Sequence, residues 1–394
     1  MSTDLLVVGG GPIGCMVAAR TAGEMDTLVL EEHRRVGIPT QCAGLVTPRV
    51  IDLTGTEDSV LNRLRGARIH FPGGTRLDLE SEETKAVVVD RRLFDLGCHR
   101  RAVDRGATIL PGHRFLGMDR SDGVLARVQA PGGGELMRAD MVVGADGHRS
   151  RVARSSGLGK AREIVRGIQV DLEVGMEDQE SVEVHLGREV APGFFAWIIP
   201  CGDFTRVGLC VSSEYGRPSP YLRRFLRKRG LADARRRANY SGVIPIGTLD
   251  RTYGHRVLLA GDAAGQIKPI SGGGLYTGLV AAECAASTVI EAQEEGRFDE
   301  EMLSRYQERW RGKLGRELDR GYRLRRMFLR MSDSKLDELG RALRKDSVRE
   351  LLSGGDIDRP SQLVPRVLRA APSLLRFSPQ VLGSFLERGK GGSG

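Results

Sequence analysis

Several broad classes are excluded by what this chain lacks. Its six cysteines, at positions 15, 42, 98, 201, 210 and 284, contain no C-x-x-C pair. Zinc and iron–sulfur ligation therefore have no framework, no metal site is expected, and the set fits thiols kept reduced in a cytoplasm. No uncharged apolar run reaches the roughly 18 to 20 residues of a membrane span. Leu275 to Ile290 comes nearest, and Glu283 interrupts it. The first apolar run carries Asp4 beside it and reads as a buried strand rather than a secretory signal. The expectation is a cytoplasmic protein, free or resting on the inner membrane face. Aromatic residues are scarce, at 5%, and are not interleaved with the basic ones, which removes nucleic acid from the expected partners. Residues 1 to 300 carry no net charge, 39 Lys and Arg against 39 Asp and Glu. The whole excess of +9 lies in residues 301 to 394, with 21 against 12.

What is present starts with Asp4-Leu-Leu-Val-Val-Gly-Gly-Gly-Pro-Ile-Gly14. It reads as a strand, a tight glycine turn and a helix start, with Gly9, Gly11 and Gly14 in the G-x-G-x-x-G spacing. Gly9 permits the sharp turn, Gly11 lets backbone approach a pyrophosphate, and Gly14 lets the helix pack closely on the sheet. The helix N-terminus then faces phosphate charge. Ile13, Met16 and Val17 follow at helical spacing, and a second strand, Thr27-Leu-Val-Leu-Glu31, ends in an acid seventeen residues after Gly14. Glu31 is placed to accept hydrogen bonds from a ribose hydroxyl pair, which argues for an adenosine without a 2′-phosphate.

At 394 residues and 40% hydrophobic content the chain holds two or more structural units. Residues 34 to 44 read as a loop. Ala67 to Leu79 alternate around Pro72-Gly73-Gly74, a hairpin pattern, and a helix is predicted near Arg92 to Arg105. A second hairpin surrounds Gly132 to Gly134, followed by the buried strand and polar turn of Met141-Val-Val-Gly-Ala-Asp-Gly147. From 165 to 213 the pattern alternates, with Ile168, Val170, Leu172 and Val174 on one face and Gln169, Asp171 and Glu173 on the other, which predicts a half-buried antiparallel sheet. The α/β pattern returns at Val257 to Gly265, and a small-residue helix runs from about Gly274 to Glu291. The expected fold class is α/β, with a Rossmann-like nucleotide domain from residues 1–65, 90–160 and 250–296 and an antiparallel-sheet substrate domain from 66–89 and 161–249. A basic helical region spans 297–388 and a flexible Gly/Ser tail 389–394.

Three separated elements, Gly9 to Gly14 with Glu31, Gly144-Ala-Asp-Gly147, and Gly261-Asp262-Ala-Ala-Gly-Gln-Ile-Lys-Pro269, resemble the FAD-binding set of the p-hydroxybenzoate hydroxylase-like flavoproteins. The resemblance implies that Asp262 binds the ribityl chain and that the helix after Gly272-Gly-Gly274 presents its N-terminus to the isoalloxazine C2 carbonyl, with Ile13, Gly274 and Leu275 among the cofactor contacts. Gln41-Cys-Ala-Gly44 and Pro192-Gly-Phe-Phe-Ala-Trp-Ile-Ile-Pro200 look more narrowly like the geranylgeranyl reductases of archaeal lipid biosynthesis. Pro192, Trp197 and Pro200 match that family's P-x-x-Y-x-W-x-F-P motif, while Phe195 replaces the Tyr and Ile199 the Phe. Phe195, Trp197 and Ile199 alternate, so they share one face of a strand suited to lining an isoprenoid channel. By the same resemblance Cys42, Ala43 and Leu45 contact the flavin, as do Arg91 and the Phe115 backbone near the adenosine, and Cys42 or an ordered water is nominated as proton donor.

The resemblance implies an FAD-dependent reductase that saturates the geranylgeranyl chains of an isoprenoid glycerophospholipid. No second flanked G-x-G-x-x-G follows, so electrons are expected from an external donor: ferredoxin, reduced deazaflavin or NAD(P)H bound transiently. Alternatives within this architecture are a flavin monooxygenase or halogenase with Lys85 between flavin and substrate, an NADPH-dependent reductase of the chlorophyll-pathway type, and a redox-inert prenyl carrier like the Rab GDP dissociation inhibitors. Leu324, Met327, Phe328 and Met331, flanked by Arg320, Arg323, Arg325, Arg326 and Arg330, form a basic amphipathic helix. It would rest on an anionic membrane, dock an acidic electron carrier, or pack on the body.

Overall fold

The computed structural model describes residues 2–40 and 42–386; Gln41 and the 389–394 tail lie outside the described residues. The first strand, Ser2–Val8, is apolar on both sides, and Leu5, Leu6 and Val7 are fully buried. That composition suits a central parallel strand covered on both faces. It pairs in parallel with Thr27–Glu31 on one side and with the second half of Gly133–Gly144 on the other, in an eight-stranded sheet that continues to Thr108–Pro111 and Val257–Leu259. The helices Pro12–Thr21 and Leu275–Glu295 cover one face, where Cys15, Met16 and Val17 share a core with Leu279, Ala282 and Ala285. The second helix runs four residues past its expected end, to a left-handed Gly296 cap.

The second sheet has seven strands, in the order Arg236–Ile246, Glu163–Leu172, Thr205–Ser212, Ala196–Pro200, Ser181–His185, Gly66–His70 and Arg76–Leu79. All pairings are antiparallel except Ser181–His185 beside Gly66–His70. A three-stranded sheet of Leu45–Val46, Ala86–Val89 and Val60–Leu64 bridges the two.

The expectation of a half-buried sheet needs correction. One face of the seven-stranded sheet packs against the helix Ser219–Lys228 through Val170, Leu172, Val207, Leu209, Phe225 and Leu226. The other face is covered too: Gln169, Asp171 and Arg206 are all at most 5% exposed. Gln169 and Asp171 of the alternating pattern face the interior of the molecule rather than water, whereas Glu173, at the strand's end, stays exposed.

The C-terminal helices belong to the same body. Tyr306 and Trp310, on Glu300–Trp310, are buried in the core of the eight-stranded sheet. A π-helical turn, Arg311–Gly315, leads into Arg316–Leu329. This is the basic amphipathic helix, but Leu324, Met327 and Met331 pack with Leu339, Val348, Leu368 and Leu374 of the helices that follow, so its apolar stripe is covered by its own chain. Arg325 is buried and donates to Glu163, to the Gly193 carbonyl and to Ser212. Resting that stripe on a membrane would require undoing this core. No helix among the described residues is long and apolar enough to cross a membrane.

Candidate functional site

A cavity of about 1200 Å³ lies between the two large sheets. It exceeds the roughly 300 to 1,000 Å³ usual for a single small ligand. Gly9, Gly11, Ile13, Glu31 and Phe115 line it at one end, then Cys42, Ala43, Leu45, Arg91, Asp262, Gly274 and Leu275, and Phe195, Trp197 and Ile199 along the sheet. Gly14 is the one expected residue that does not line it, because it works from beneath.

The glycine turn is fixed by close approaches. Gly9 has φ +107°, and a Cβ there would lie 2.4 Å from the Ala145 carbonyl oxygen. A Cβ on Gly14 would lie 1.9 Å from the Gly9 carbonyl oxygen. A Cβ on Gly11 would meet no protein atom within 4 Å, since that position opens on the cavity. Close protein atoms thus require glycine at Gly9 and Gly14, whereas no described protein atom requires it at Gly11. Glu31 holds the turn from the second strand: one carboxylate oxygen accepts from Gly10 N at 2.9 Å, and the other from His33 N at 2.8 Å and the His33 ring at 2.7 Å. His33 also lines the cavity, although the sequence reading left it out.

Two acids face the cavity with capacity to spare. Asp146 Oδ2 accepts from Arg151 N and Val152 N, whereas Oδ1 is buried without a partner among the described residues, and burial pushes the carboxyl above its usual range. Asp262 is pushed up to about 6 by burial, against a partial pull downwards by Arg91. A Cβ on Gly274 would lie 3.0 Å from the Asp262 carboxylate, so the carboxylate sits against the turn that opens Leu275–Glu295. Unpaired acids and an open glycine turn in one cavity fit a group that brings hydroxyl donors and a pyrophosphate.

The loop at Cys42 is clamped from the opposite sheet. Arg206 donates to the Ala43 carbonyl at 2.7 Å while its other nitrogens hold Asp171 at 2.9 and 3.1 Å. Gly44 N donates to Cys42 Sγ at 3.4 Å. Arg91 is tied to Asp95 at 2.9 Å. Cys98, Cys201 and Cys210 are pushed up to about 12 by burial and stay protonated.

Neither Arg206 nor Asp171 was singled out from the sequence; their alternation with apolar neighbours reads as a solvent face. The far wall was missed as well. Ile357 and Asp358 line the cavity, and Asp358 is buried between Lys268 Nζ at 2.9 Å and Thr47 Oγ1 at 2.6 Å. Lys268, in the third glycine motif, could have suggested a buried acid partner, but nothing local points to position 358. Lys85 lines the rim, with Glu83 3.5 Å from its ammonium. On the opposite face of the sheet, His70, Glu183 and His185 converge, and Arg229 donates to the Glu183 oxygen that the His185 ring also contacts.

This fold and cavity define an FAD-binding flavoprotein, and the family described as "FAD binding domain" matches residues 2–231. The chain is 32% identical to digeranylgeranylglycerophospholipid reductase 2 of Methanothermobacter thermautotrophicus, over 97% of this chain and 100% of that protein. It is also 32% identical to digeranylgeranylglycerophospholipid reductase of Methanothrix thermoacetophila, over 93% and 98%. Among solved structures, a geranylgeranyl bacteriochlorophyll reductase-like protein of Thermoplasma acidophilum superposes with a TM-score of 0.87 at 24% identity, covering 96% of this chain and 99% of that one. A flavin-dependent brominase shares the fold at a TM-score of 0.69 and 16% identity. The chain belongs to the digeranylgeranylglycerophospholipid reductase family of FAD-binding flavoproteins. It is an FAD-dependent oxidoreductase.

Proposed function

We propose that this protein saturates carbon–carbon double bonds in the geranylgeranyl chains of digeranylgeranylglycerophospholipids, the lipids for which its relatives are named. The observation that carries this reading is the continuity of one cavity from the glycine turn to an apolar floor, where Trp197 and Ile199 stand with Ala67, Val182 and Val184. Its volume leaves room for a long hydrocarbon chain beside the cofactor. Gly9, Gly11 and the helix start at Pro12 would hold the pyrophosphate, Glu31 the ribose, and Asp262 the ribityl hydroxyls. The N-terminus of Leu275–Glu295 would favour negative charge on a reduced flavin held beside it. Reduced FAD supplies the hydride. The chain must bring a proton to the second carbon of an alkene that no carbonyl activates, and the Cys42 thiol is the nominated donor. Electrons reach the cofactor from a separate donor, ferredoxin, reduced deazaflavin or NAD(P)H. The chain divides into a discontinuous FAD-binding part, a lipid-binding sheet and a helical part that lines the far wall.

Anaerobic incubation of the chemically reduced protein with an unsaturated digeranylgeranylglycerophospholipid tests the reading by mass. Successive gains of two hydrogens support it, and an unaltered lipid defeats it. In the same assay Cys42→Ala is expected to keep FAD and to slow saturation by about 100-fold or more; unchanged turnover would remove Cys42 from the chemistry.

The pH dependence of cofactor binding follows from Asp262. In the free protein its carboxyl is protonated below about 6. Hydroxyl donors bind the carboxylate better than the acid, so FAD affinity should rise with pH through about 6 and level off above it. Titration of the apoprotein with FAD between pH 5 and 8, alongside Asp262→Asn, measures this. A slope that survives in the variant would assign the effect elsewhere.

A further inference from the structure

The cavity floor contains a polar group that the proposed reaction has not used. Strand register places Trp197 opposite Gly208, Gly208 opposite Gln169, and Gln169 opposite Tyr240, one row across four strands. Paired residues on neighbouring strands share a face, and Trp197, Gln169 and Tyr240 all line the cavity. Gly208 lets the row close. A Cβ there would stand 2.5 Å from the Trp197 ring, so its absence allows the indole to lie across that strand and reach Gln169.

Trp197 Nε1 donates to Gln169 Oε1 at 3.2 Å. An indole N–H can only donate, so this contact decides which end of the carboxamide is oxygen. The amide nitrogen is thereby turned away from Trp197, and Gln169 Nε2 is buried with no partner among the described residues, in a side chain whose residue is 4% exposed. No side chain among the described residues lies within hydrogen-bond reach of it. The row on one side holds Cys210, Gly167 and Gly242, and on the other the Asp171 carboxylate is engaged by Arg206 and by the Tyr240 hydroxyl. A buried amide donor that faces only hydrocarbon loses its hydration without replacement. An isoprenoid chain by itself would leave it in that state.

We propose that Gln169 is a ligand-positioning residue whose Nε2 donates to an acceptor atom held in the cavity at the level of Trp197. That acceptor is either a ring-edge atom of the bound cofactor or a water retained beside the lipid chain. Trp197 acts through Gln169, locking the amide with its donor end toward the cavity, in addition to lining the channel. The inference rests on the reading of this cavity as a flavin and lipid site.

The test uses the FAD-loaded protein throughout. Gln169→Met keeps the side-chain length and, in its thioether, a weak acceptor for Trp197 but removes the donor; Gln169→Leu removes both; Trp197→Phe keeps an apolar ring and frees the amide to turn. A crystal structure of the FAD-loaded wild type that resolves waters is expected to show an acceptor within hydrogen-bond reach of Nε2, and a structure in which Nε2 still lacks one overturns the proposal. If the acceptor is a cofactor atom, Gln169→Met and Gln169→Leu shift the visible absorption and the reduction potential. If it is a water, both stay at wild-type values, and reoxidation of the reduced protein by unsaturated lipid slows about tenfold, with part of that loss in Trp197→Phe. Variants unchanged in spectrum, potential and reoxidation rate overturn the proposal. A wild type that the lipid does not reoxidise at all defeats the lipid reading instead, and the crystal structure and the potentials still decide the role of Gln169.

Discussion

Gly11→Ala and Gly14→Ala are expected to give two proteins that are both colourless, for different reasons. Gly11 has φ −73° and ψ 178°, a conformation that alanine adopts freely, and its added Cβ meets no protein atom within 4 Å. The apoprotein should therefore unfold at the wild-type temperature, while the methyl group occupies the space that a pyrophosphate needs against the backbone. At Gly14 the Cβ would sit 1.9 Å from the Gly9 carbonyl oxygen and 3.3 Å from a Val7 methyl. Helix and strand must then move apart, which costs at least the roughly 1–3 kcal/mol of an overpacked core in addition to the cofactor site. Flavin absorbance after reconstitution and thermal unfolding of each apoprotein separate the two. A Gly11→Ala protein that takes up FAD like the wild type would show that nothing approaches the backbone there.

Arg206→Met should be the most destabilising single change at the site. Arg206 and Asp171 are 5% and 3% exposed, and the guanidinium joins the sheet strand to the Ala43 carbonyl. Its loss leaves Asp171 as a buried carboxylate with only the Tyr240 hydroxyl, at 3.3 Å. Removing one partner of a buried pair costs about 3–5 kcal/mol, chiefly through the charge left behind. Replacing both partners by apolar residues of similar volume is often neutral, so Asp171→Leu combined with Arg206→Met should recover most of the stability. The double variant still lacks the bond to Ala43, and its flavin should bind more weakly than in the wild type. Denaturant unfolding of the three proteins, with FAD titrations, tests both parts. A single variant within about 1 kcal/mol of the wild type would mean that water reaches Asp171.

How much could be read in advance depends on how local each cause is. The turn at Gly9 requires a positive φ, and the helix beginning at Pro12 requires an N-terminal proline and small residues. Both requirements act within a few residues, so they leave a readable pattern. The same holds for the hairpin at Pro72 to Gly74 and for the shared face of Trp197 and Ile199, since alternation is a property of the strand alone. The amphipathic helix at 316–329 was legible as a helix with an apolar stripe. What its stripe touches was not, because Leu339, Val348 and Leu368 reach it only after the chain has folded back.

Periodicity and glycine spacing by themselves determined the α/β class and a dinucleotide-binding turn, while FAD and the family came from the resemblance carried by the three glycine motifs and by Pro192 to Pro200; each rests on short segments whose backbone needs are met locally. The tertiary structure alone decided that Gln169 and Asp171 look inward, that Asp358 forms part of the cavity wall, and that the Arg325 guanidinium is buried. A polar residue alternating with apolar ones has the same local pattern whether the facing layer is water or protein. Only the layer packed across from the seven-stranded sheet, the loop at Ala43 and the strand ending at Val89, settles which one it meets.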